Sequence, residues 1–474
     1  MAKQKPKVER NTRESTLTIT KQIDINFRNY ALYVLEHRGI PSFYDALTNV
    51  QRVSMINAPK SFNKTISLVG ACISNGYHHG DKSLSGAINK LARPFGCGES
   101  LLLGDGFFGT PVNPEASAAR YTSVKINPAI NDILSKYMVL NTKNDNDQWE
   151  WLRSEVPLGL LTMINGIAVG YKSTALPRNL TDIIKFLDKK SKNLVPYFKG
   201  FGGKISNYND QKKTWLLEGR IEINDKDKTV RVMELPPLMK YDSFIKKLAK
   251  YAETNVDFVM QNDSSDTVDV LLKFKGGTTW DDFKEHMLRM TKLLVTETLV
   301  FVKDGSVVEY ADMTDYLTEY RVHREAVRLA KAEYDSTVYS EELEYLKAKL
   351  IYLRFMLAKK RTESEIDTFL SDYSSKTKSR LDRTLLRDLS EENIKRVEND
   401  IKTMEDTLKN EQSNVVQLKA SHAKLLEDTP MISKVTKNRS VDLFMDDEID
   451  GIEVYTGDKD EDDDTVKPET EDEE

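Results

Sequence analysis

Two long stretches after Asp312 carry apolar residues at helical spacing, alternating in steps of three and four. Neither proline nor glycine occurs between Asp312 and Pro430. The pattern predicts an antiparallel coiled coil over residues 313–428, with a small helical insert at about 358–392. A simple helical core has the same spacing, and only the length of the stretches favours an extended arm. The seam positions are Leu343, Leu346, Leu350, Leu353 and Leu357, then Ile394, Val397, Ile401, Met404 and Leu408.

Residues 27–150 have a shorter, mixed pattern divided by glycine and proline. A helix is predicted from Ser83 to Phe95, with an apolar face and with Asp81 as its N-cap. A strand and a glycine hairpin are predicted from Leu101 to Thr110, with Phe107 and Phe108 in their core. Helices followed by a hairpin are the outline of a winged-helix domain, in which the second helix enters a DNA groove.

Residues 151–312 alternate between strand-like and helix-like stretches. Residues 180–187 and 241–251 have helical patterns, while 215–223 and 229–235 are predicted as paired strands that end at Pro236. An α/β domain is expected here. The fold class predicted for the whole chain is therefore multidomain α+β.

The termini are polar and differ in charge. Residues 1–26 form a basic arm with no hydrophobic segment behind it, and no apolar run is long enough to span a membrane, so a cytoplasmic protein is expected. Residues 429–474 are predicted to be a disordered acidic tail. From Asp442 to Glu474 the chain has 17 acidic and 2 basic residues, which leaves 67 basic and 58 acidic residues before it. A basic body is suited to a phosphate-rich partner. The acidic tail either competes with that partner for the same surface or only aids solubility.

Metal-ligand spacing is absent from the sequence. Cys72 and Cys97 are the only cysteines, too few for a disulfide framework or a four-ligand zinc site. The six histidines are scattered apart from the pair His78 and His79. We therefore predict no metal ligands in this chain.

Three clusters occur in order along the first domain. They are Tyr77-His78-His79-Gly80-Asp81-Lys82-Ser83-Leu84, Leu101–Thr110 with its Gly-Phe-Phe-Gly turn, and Ala118-Ala119-Arg120-Tyr121-Thr122. Together they resemble the breakage-reunion subunit of type IIA DNA topoisomerases, because chance must supply all three at these separations. Further similar segments are Arg38–Pro41, Asp45–Arg52 and Asn165–Gly170. Thr48, Asn49 and Val53 depart from the pattern, which weakens the expected DNA contact there.

The resemblance implies that Tyr121 attacks DNA. A tyrosine phenol forms a phosphodiester that conserves bond energy, but its pKa of about 10 requires deprotonation or nearby positive charge. By resemblance, Arg120, Arg38 and His79 contact the scissile phosphate, while His78 is structural. The resemblance also implies that Ile167 intercalates between base pairs. The other residues expected to contact DNA are Arg52, Lys64, Lys82, Lys90, Lys172 and Arg178.

The resemblance further implies partners and cofactors. Mg²⁺ and ATP are expected on a separate subunit that carries the metal-binding domain and the ATPase. A homodimer through the helical insert, the C-gate, supplies two tyrosines for two strands. With no chain left for a DNA-wrapping domain, relaxation of double-stranded DNA is expected. The alternative is a non-enzymatic architectural protein that binds DNA through a winged helix on coiled-coil arms. A tyrosine recombinase or relaxase requires further clustered Arg and His residues, which the sequence lacks.

Overall fold

The structure is a computed structural model that describes residues 33–143, 149–209, 213–254, 256–359, 361–383 and 389–429, with a few positions outside these ranges. In its first region, β1 (Asn63–Lys64) and β2 (Leu102–Asp105) both pair antiparallel with the central strand β3 (Ser123–Ile126). Helices pack on this sheet around a large apolar core. The elements are a π-helical turn Leu35–Gly39, α1 Asn49–Ile56, β1 Asn63–Lys64, α2 Thr65–Ser74, α3 Asp81–Ala92, β2 Leu102–Asp105, β3 Ser123–Ile126 and α4 Pro128–Ser135.

Helix α3 is close to the predicted helix but is shifted toward the N-terminus. Gly80 is the N-cap, and Asp81, which we predicted as the cap, lies in the first turn. The helix ends at Ala92 because the next residue, Arg93, precedes a proline and adopts extended backbone angles. Leu84 and Ile88 are fully buried, so the apolar face is the one predicted.

The strand predicted after Leu101 is present as β2, but the glycine hairpin predicted within Leu101–Thr110 does not close there. After β2 the chain runs through a long loop, residues 106–122, before it returns as β3. Phe108 is buried under Gly104, where an added Cβ would lie 2.4 Å from its ring. Phe107 is 41% exposed, so only one of the two phenylalanines is in the core.

The second region contains two hairpins and two larger sheets, and the strands of this region pair antiparallel in all of them. Helices α6 (Tyr241–Ala252) and α7 (Trp280–Met290) pack on the four-stranded sheet. The predicted strand 215–223 is divided at Gly219, where a Cβ would meet the Glu234 backbone oxygen at 2.3 Å. Its halves, β7 and β8, belong to different sheets. The elements are β4 Ile164–Ala168, β5 Tyr171–Ala175, α5 Leu180–Leu187, β6 Lys204–Asn209, β7 Thr214–Glu218, β8 Arg220–Asn224, β9 Thr229–Glu234, α6 Tyr241–Ala252, β10 Asp257–Asn262, β11 Val270–Gly276, α7 Trp280–Met290, β12 Lys292–Thr296, β13 Leu299–Lys303 and β14 Ser306–Tyr310.

The pairing of these strands differs from the α/β domain that we expected, because β6–β7–β12 and β10–β11–β9–β8 are antiparallel.

The predicted disordered tail also contains short strands. β15 (Lys434–Val435) pairs with β14, and β17 (Ile452–Val454) pairs with β12 and with β16 (Glu448–Ile449). Both β14 and β12 offer a sheet edge with backbone groups able to pair. Most other residues predicted as tail, and the basic arm 1–26 except Ile23 and Asn26, lie outside the described residues.

Two long helices, α8 Met313–Ala358 and α11 Glu391–Asp428, pack antiparallel. Two ion pairs show how the helices are aligned: Lys347 pairs with Glu405, and Lys419 pairs with Glu333. The predicted seam residues form one apolar cluster, except Leu357, which is 41% exposed in the last turn of α8. Two short helices, α9 Glu363–Ser371 and α10 Ser375–Leu381, lie between the long ones. None of the described helices combines the length and apolar character needed to cross a membrane.

Candidate active site

The turn that carries Arg120 and Tyr121 is attached to the start of helix α2 on both sides of the tyrosine. Before it, the Ala119 carbonyl accepts a hydrogen bond from Ile66 N–H at 3.1 Å. After it, the Thr122 carbonyl accepts one from Thr65 N–H at 3.0 Å, and the two threonine hydroxyls lie 2.8 Å apart. Because Thr65 and Thr122 are fully buried, this anchor fixes the backbone of the turn.

The Tyr121 side chain points out of this anchored turn and is 66% exposed. Its phenol is accessible to a DNA phosphate. Arg120 is exposed beside it, with its guanidinium 4.9 Å from the centroid of the Tyr121 ring. A permanent cation at this position can contact a phosphate that approaches the phenol.

Arg38 and His79 approach a common neighbour, Tyr77. The His79 ring meets the Tyr77 ring edge to face, with centroids 5.5 Å apart. Burial raises the pKa of Tyr77, while a hydrogen bond with Ser83 and the positive charge of Arg38 act in the opposite direction. The Tyr33 hydroxyl lies 3.1 Å from His79 Nε2. The structure therefore places His79 against two tyrosine rings, and the charge of Arg38 acts on one of them.

The π-helical turn that carries Arg38 packs directly on strand β4. A Cβ added to Gly39 would lie 2.5 Å from the Ile167 carbonyl oxygen, and one added to Gly166 would lie 2.0 Å from the Gly39 oxygen. Only glycines permit the two backbones to approach this closely. The contact places Arg38 next to the hairpin that presents Ile167.

Ile167 lies near the tip of the β4–β5 hairpin, opposite Lys172. It is 53% exposed, and Val169 at the tip is also exposed. Lys172 is half-buried, and this desolvation lowers the pKa of its amine. An exposed isoleucine next to a lysine has the geometry needed for an apolar wedge beside a phosphate contact.

Two arginines that we expected on DNA lie in the interior instead. Arg52 is buried and donates hydrogen bonds to both carboxylate oxygens of Asp45, at 2.7 and 3.1 Å, and to the Leu47 carbonyl at 3.1 Å. Arg178 is 1% exposed and pairs with both carboxylate oxygens of Glu297, at 3.0 and 2.8 Å. Both guanidiniums are engaged by carboxylates, so we now assign them to stability rather than to phosphate contact.

The predicted lysines lie at the surface near the anchored turn or on helix α3. Lys64 is exposed on β1, opposite Ser123, while Lys82 and Lys90 are exposed on α3. One neighbour was missed from the sequence: Lys125 on β3 lies over the ring of Phe62, with its amine 4.4 Å from the ring centroid. The contact joins residues far apart in the sequence, which shows no signal of it.

The implied Mg²⁺ does not fit the side chains of this chain that the structure describes. Within that part of the chain, no group of three or more His, Cys, Asp or Glu side chains could hold a metal ion. The expectation that a partner protein holds the metal stays a prediction.

Comparison with known families identifies the class of this protein. Residues 38–428 match the model of the family of DNA gyrase/topoisomerase IV A subunits, so the chain belongs to that family. The match includes both the anchored turn and the coiled coil, and it confirms the resemblance inferred from the three motifs.

Individual relatives are distant. The DNA gyrase A subunit of Kosmotoga olearia is 23% identical over 357 residues, which are 67% of this chain and 44% of that protein. The sequence motifs resemble, in particular, those of the medium subunit of the T-even bacteriophage topoisomerase. The DNA topoisomerase medium subunit of Enterobacteria phage T4 is indeed similar, at 26% identity over 277 residues, 55% of this chain and 57% of that one. The chain spans about half the length of the curated relatives it matches.

A solved structure has the same fold. It is the DNA-binding, cleavage and re-ligation domain of Plasmodium falciparum topoisomerase II, with a TM-score of 0.70 at 19% identity. The match covers 85% of this chain and 63% of that one. The similarity establishes the mixed α+β architecture with its long C-terminal helix.

Proposed function

We propose that this chain is the DNA cleavage and religation subunit of an ATP-dependent type IIA topoisomerase. It makes transient double-strand breaks, passes a second duplex through them and relaxes DNA. The observation that carries the proposal is the exposed Tyr121 next to Arg120, on a turn anchored to α2, in a chain of this family.

The chemistry exchanges one phosphodiester for another. The Tyr121 oxygen attacks phosphorus, the bond from phosphorus to the 3′ oxygen breaks, and the DNA keeps a 3′ hydroxyl and a 5′-phosphotyrosine link. Religation is the reverse attack. Arg120, Arg38 and His79 stabilise the charge that develops on the phosphoryl oxygens, and His79 also relays a proton. The Mg²⁺ and ATP of the reaction belong to a partner subunit in this proposal.

DNA binding is assigned to the winged-helix region and the hairpin. Lys64, Lys82 and Lys90 contact phosphates, and Ile167 unstacks a base step with Lys172 beside it. The surface exposure of Lys64, Lys82 and Lys90, and that of Ile167, supports the assignment. The duplex is bent over the two halves of a dimer.

The dimer is proposed to form through the helical insert at about 358–392. Ile351 is 51% exposed and Leu357 is 41% exposed near this end of α8, which supports a contact there. A twofold arrangement gives two tyrosines for the two strands. The cytoplasm of a bacterial host, on DNA, is the proposed location.

The test is covalent trapping. The full chain is combined with its ATPase and metal-binding partner, duplex DNA and Mg²⁺, and denaturant then traps protein-DNA adducts. We expect Tyr121→Phe to abolish adducts while DNA affinity is retained. The control is Tyr334→Phe, a 41% exposed tyrosine on α8, which should form adducts normally. Adducts that persist in Tyr121→Phe would exclude this nucleophile. A wild-type complex that binds DNA but forms no adducts would favour the non-enzymatic DNA-binding scaffold.

A further inference from the structure

A tyrosine outside the three motifs contacts the histidine that we assign to the scissile phosphate. The hydroxyl oxygen of Tyr33 lies 3.1 Å from His79 Nε2, and the two ring centroids are 6.2 Å apart in an edge-to-face arrangement. We propose that Tyr33 is a positioning residue for His79 during strand cleavage. The proposal rests on the function proposed above and adds a residue to it.

His79 needs positioning because it follows a short exposed turn. It lies between His78 and Gly80, which are both exposed, and helix α3 begins only at Asp81. The edge contact with Tyr77 restricts the ring plane. The hydrogen bond with Tyr33 then fixes the orientation of the imidazole, with Nε2 toward the Tyr33 hydroxyl. A pre-oriented group stabilises a transition state without reorganising during the reaction.

With the Tyr33 hydroxyl as the donor, this bond selects the tautomer of the neutral ring. A neutral imidazole has one N–H donor and one acceptor nitrogen. When the Tyr33 hydroxyl donates to Nε2, the ring proton resides on Nδ1. Nδ1–H is then the donor that remains for a phosphoryl oxygen.

Tyr33 is also linked to Arg38 through the backbone. The helical residues Tyr33 and Val34 lead directly into the π-helical turn Leu35–Gly39, which contains Arg38. That turn packs against β4 through Gly39 and Gly166. One segment that packs on β4 therefore positions both Arg38 and the Tyr33 hydroxyl, which is hydrogen-bonded to His79.

The contact contributes little to folding. Tyr33 is 39% exposed, and water competes for an exposed hydroxyl. Replacement by phenylalanine keeps the ring and removes only the hydroxyl. We therefore expect Tyr33→Phe to unfold at the wild-type temperature and to bind duplex DNA with unchanged affinity. A slower cleavage reaction in this variant then reflects the lost orientation of His79.

The kinetic test is a double-mutant cycle in the reconstituted complex. Tyr33→Phe, His79→Ala and the double variant are compared by the single-turnover rate of adduct formation. We expect Tyr33→Phe to slow cleavage about tenfold, the effect of one neutral hydrogen bond. The double variant should be no slower than His79→Ala alone. Tyr30→Phe is the matched control, an exposed tyrosine in the same segment, and should react normally. An additive loss in the double variant, or an equal loss in Tyr30→Phe, would overturn the proposal.

A second readout does not require cleavage. In the full chain with ¹⁵N-labelled histidine, the His79 signals are assigned by their absence in His79→Ala. We expect Nε2 to give the shift of an acceptor nitrogen, and Tyr33→Phe to move it toward a mixture of tautomers. An unchanged Nε2 shift would contradict the bond. If the shift shows the bond but the wild-type complex forms no adducts, the proposed function fails while the contact stands. If adducts form normally and Tyr33→Phe reacts at the wild-type rate, the positioning role alone fails.

Discussion

Arg120 and Arg178 were both expected to contact DNA, yet they occupy opposite environments. Arg120 is exposed above the ring of Tyr121, on a turn held by the buried Thr65 and Thr122. Arg178 is almost fully buried, where Glu297 accepts two hydrogen bonds from it and a third from the indole of Trp215. The first arrangement has a rigid backbone and an accessible charge. The second has its charge neutralised inside the protein.

The comparison teaches that an arginine is available for catalysis only when the fold holds its backbone in place and leaves its guanidinium without a carboxylate partner. At the anchored turn, backbone carbonyls and threonine hydroxyls make the attachment, and the side chains of Arg120 and Tyr121 are exposed. In the buried pairs, the guanidinium itself makes the attachment. Substitutions at the two kinds of site should therefore separate stability from activity.

The largest effect is expected on stability, from Arg178→Ala. Removal of one partner leaves Glu297 as a buried carboxylate without its arginine, which costs about 3–5 kcal/mol in the free energy of unfolding. Urea denaturation measures it. The matched variant Arg120→Ala, at an exposed position, should change this free energy by less than about 0.5 kcal/mol. Equal losses in the two variants would remove the distinction drawn here.

Arg120→Ala should instead slow the reaction. Loss of a positioned cation at a developing phosphoryl charge is expected to lower the rate of adduct formation by about 10²–10³-fold, with DNA binding retained. Single-turnover cleavage of duplex DNA by the reconstituted complex measures this rate. A wild-type rate in Arg120→Ala would show that exposure near Tyr121 does not make the arginine catalytic.

A smaller effect is expected at the hairpin. Ile167→Ala removes the wedge and should reduce the bend of the bound duplex, with DNA affinity weakened by about 1–2 kcal/mol, less than the unstacking energy of a base step. Fluorescence energy transfer between the two DNA ends measures the bend. Val169→Ala, at the tip of the same hairpin, is the control. If both variants bend DNA equally poorly, the whole tip rather than Ile167 is the wedge.

The smallest effect is expected from single lysines. Lys82→Ala and Lys90→Ala should each reduce the salt dependence of DNA affinity by about one unit of slope, because each removes about one phosphate contact. Titrations at several salt concentrations measure the slope. Lys409→Ala on α11 is the control and should leave it unchanged. A normal slope in both α3 variants would place the DNA elsewhere on the protein.

Features set by local periodicity could be predicted from the sequence. Residues 180–187 form a helix with the predicted bounds, and the heptads give the seam between α8 and α11. Features set by distant partners could not. Whether Arg178 faces DNA depends on Glu297, which follows it by 119 residues. The division of a strand at Gly219 depends on how closely Glu234 approaches.

The candidate site also combines features that the sequence predicts with features that depend on distant partners. Motif resemblance selected Arg120 and Tyr121, and the structure places both at the surface, as attack on DNA requires. Tyr33 gives no signal in the sequence, because its contact with His79 spans 46 residues and joins it to a motif that it does not belong to. Phe107 and Phe108 are adjacent and chemically identical, yet only Phe108 is buried. Burial at this level depends on packing across the sheet rather than on residue type.

The most direct measurement identifies the residue that carries the DNA. Adducts formed by the reconstituted complex are trapped with denaturant, digested with nuclease and protease, and analysed by mass spectrometry. We predict that the peptide containing Tyr121 carries a nucleotide on its phenolic oxygen through a 5′ phosphate. A nucleotide on any other side chain, or a trapped complex whose Tyr121 peptide is unmodified, would contradict the account.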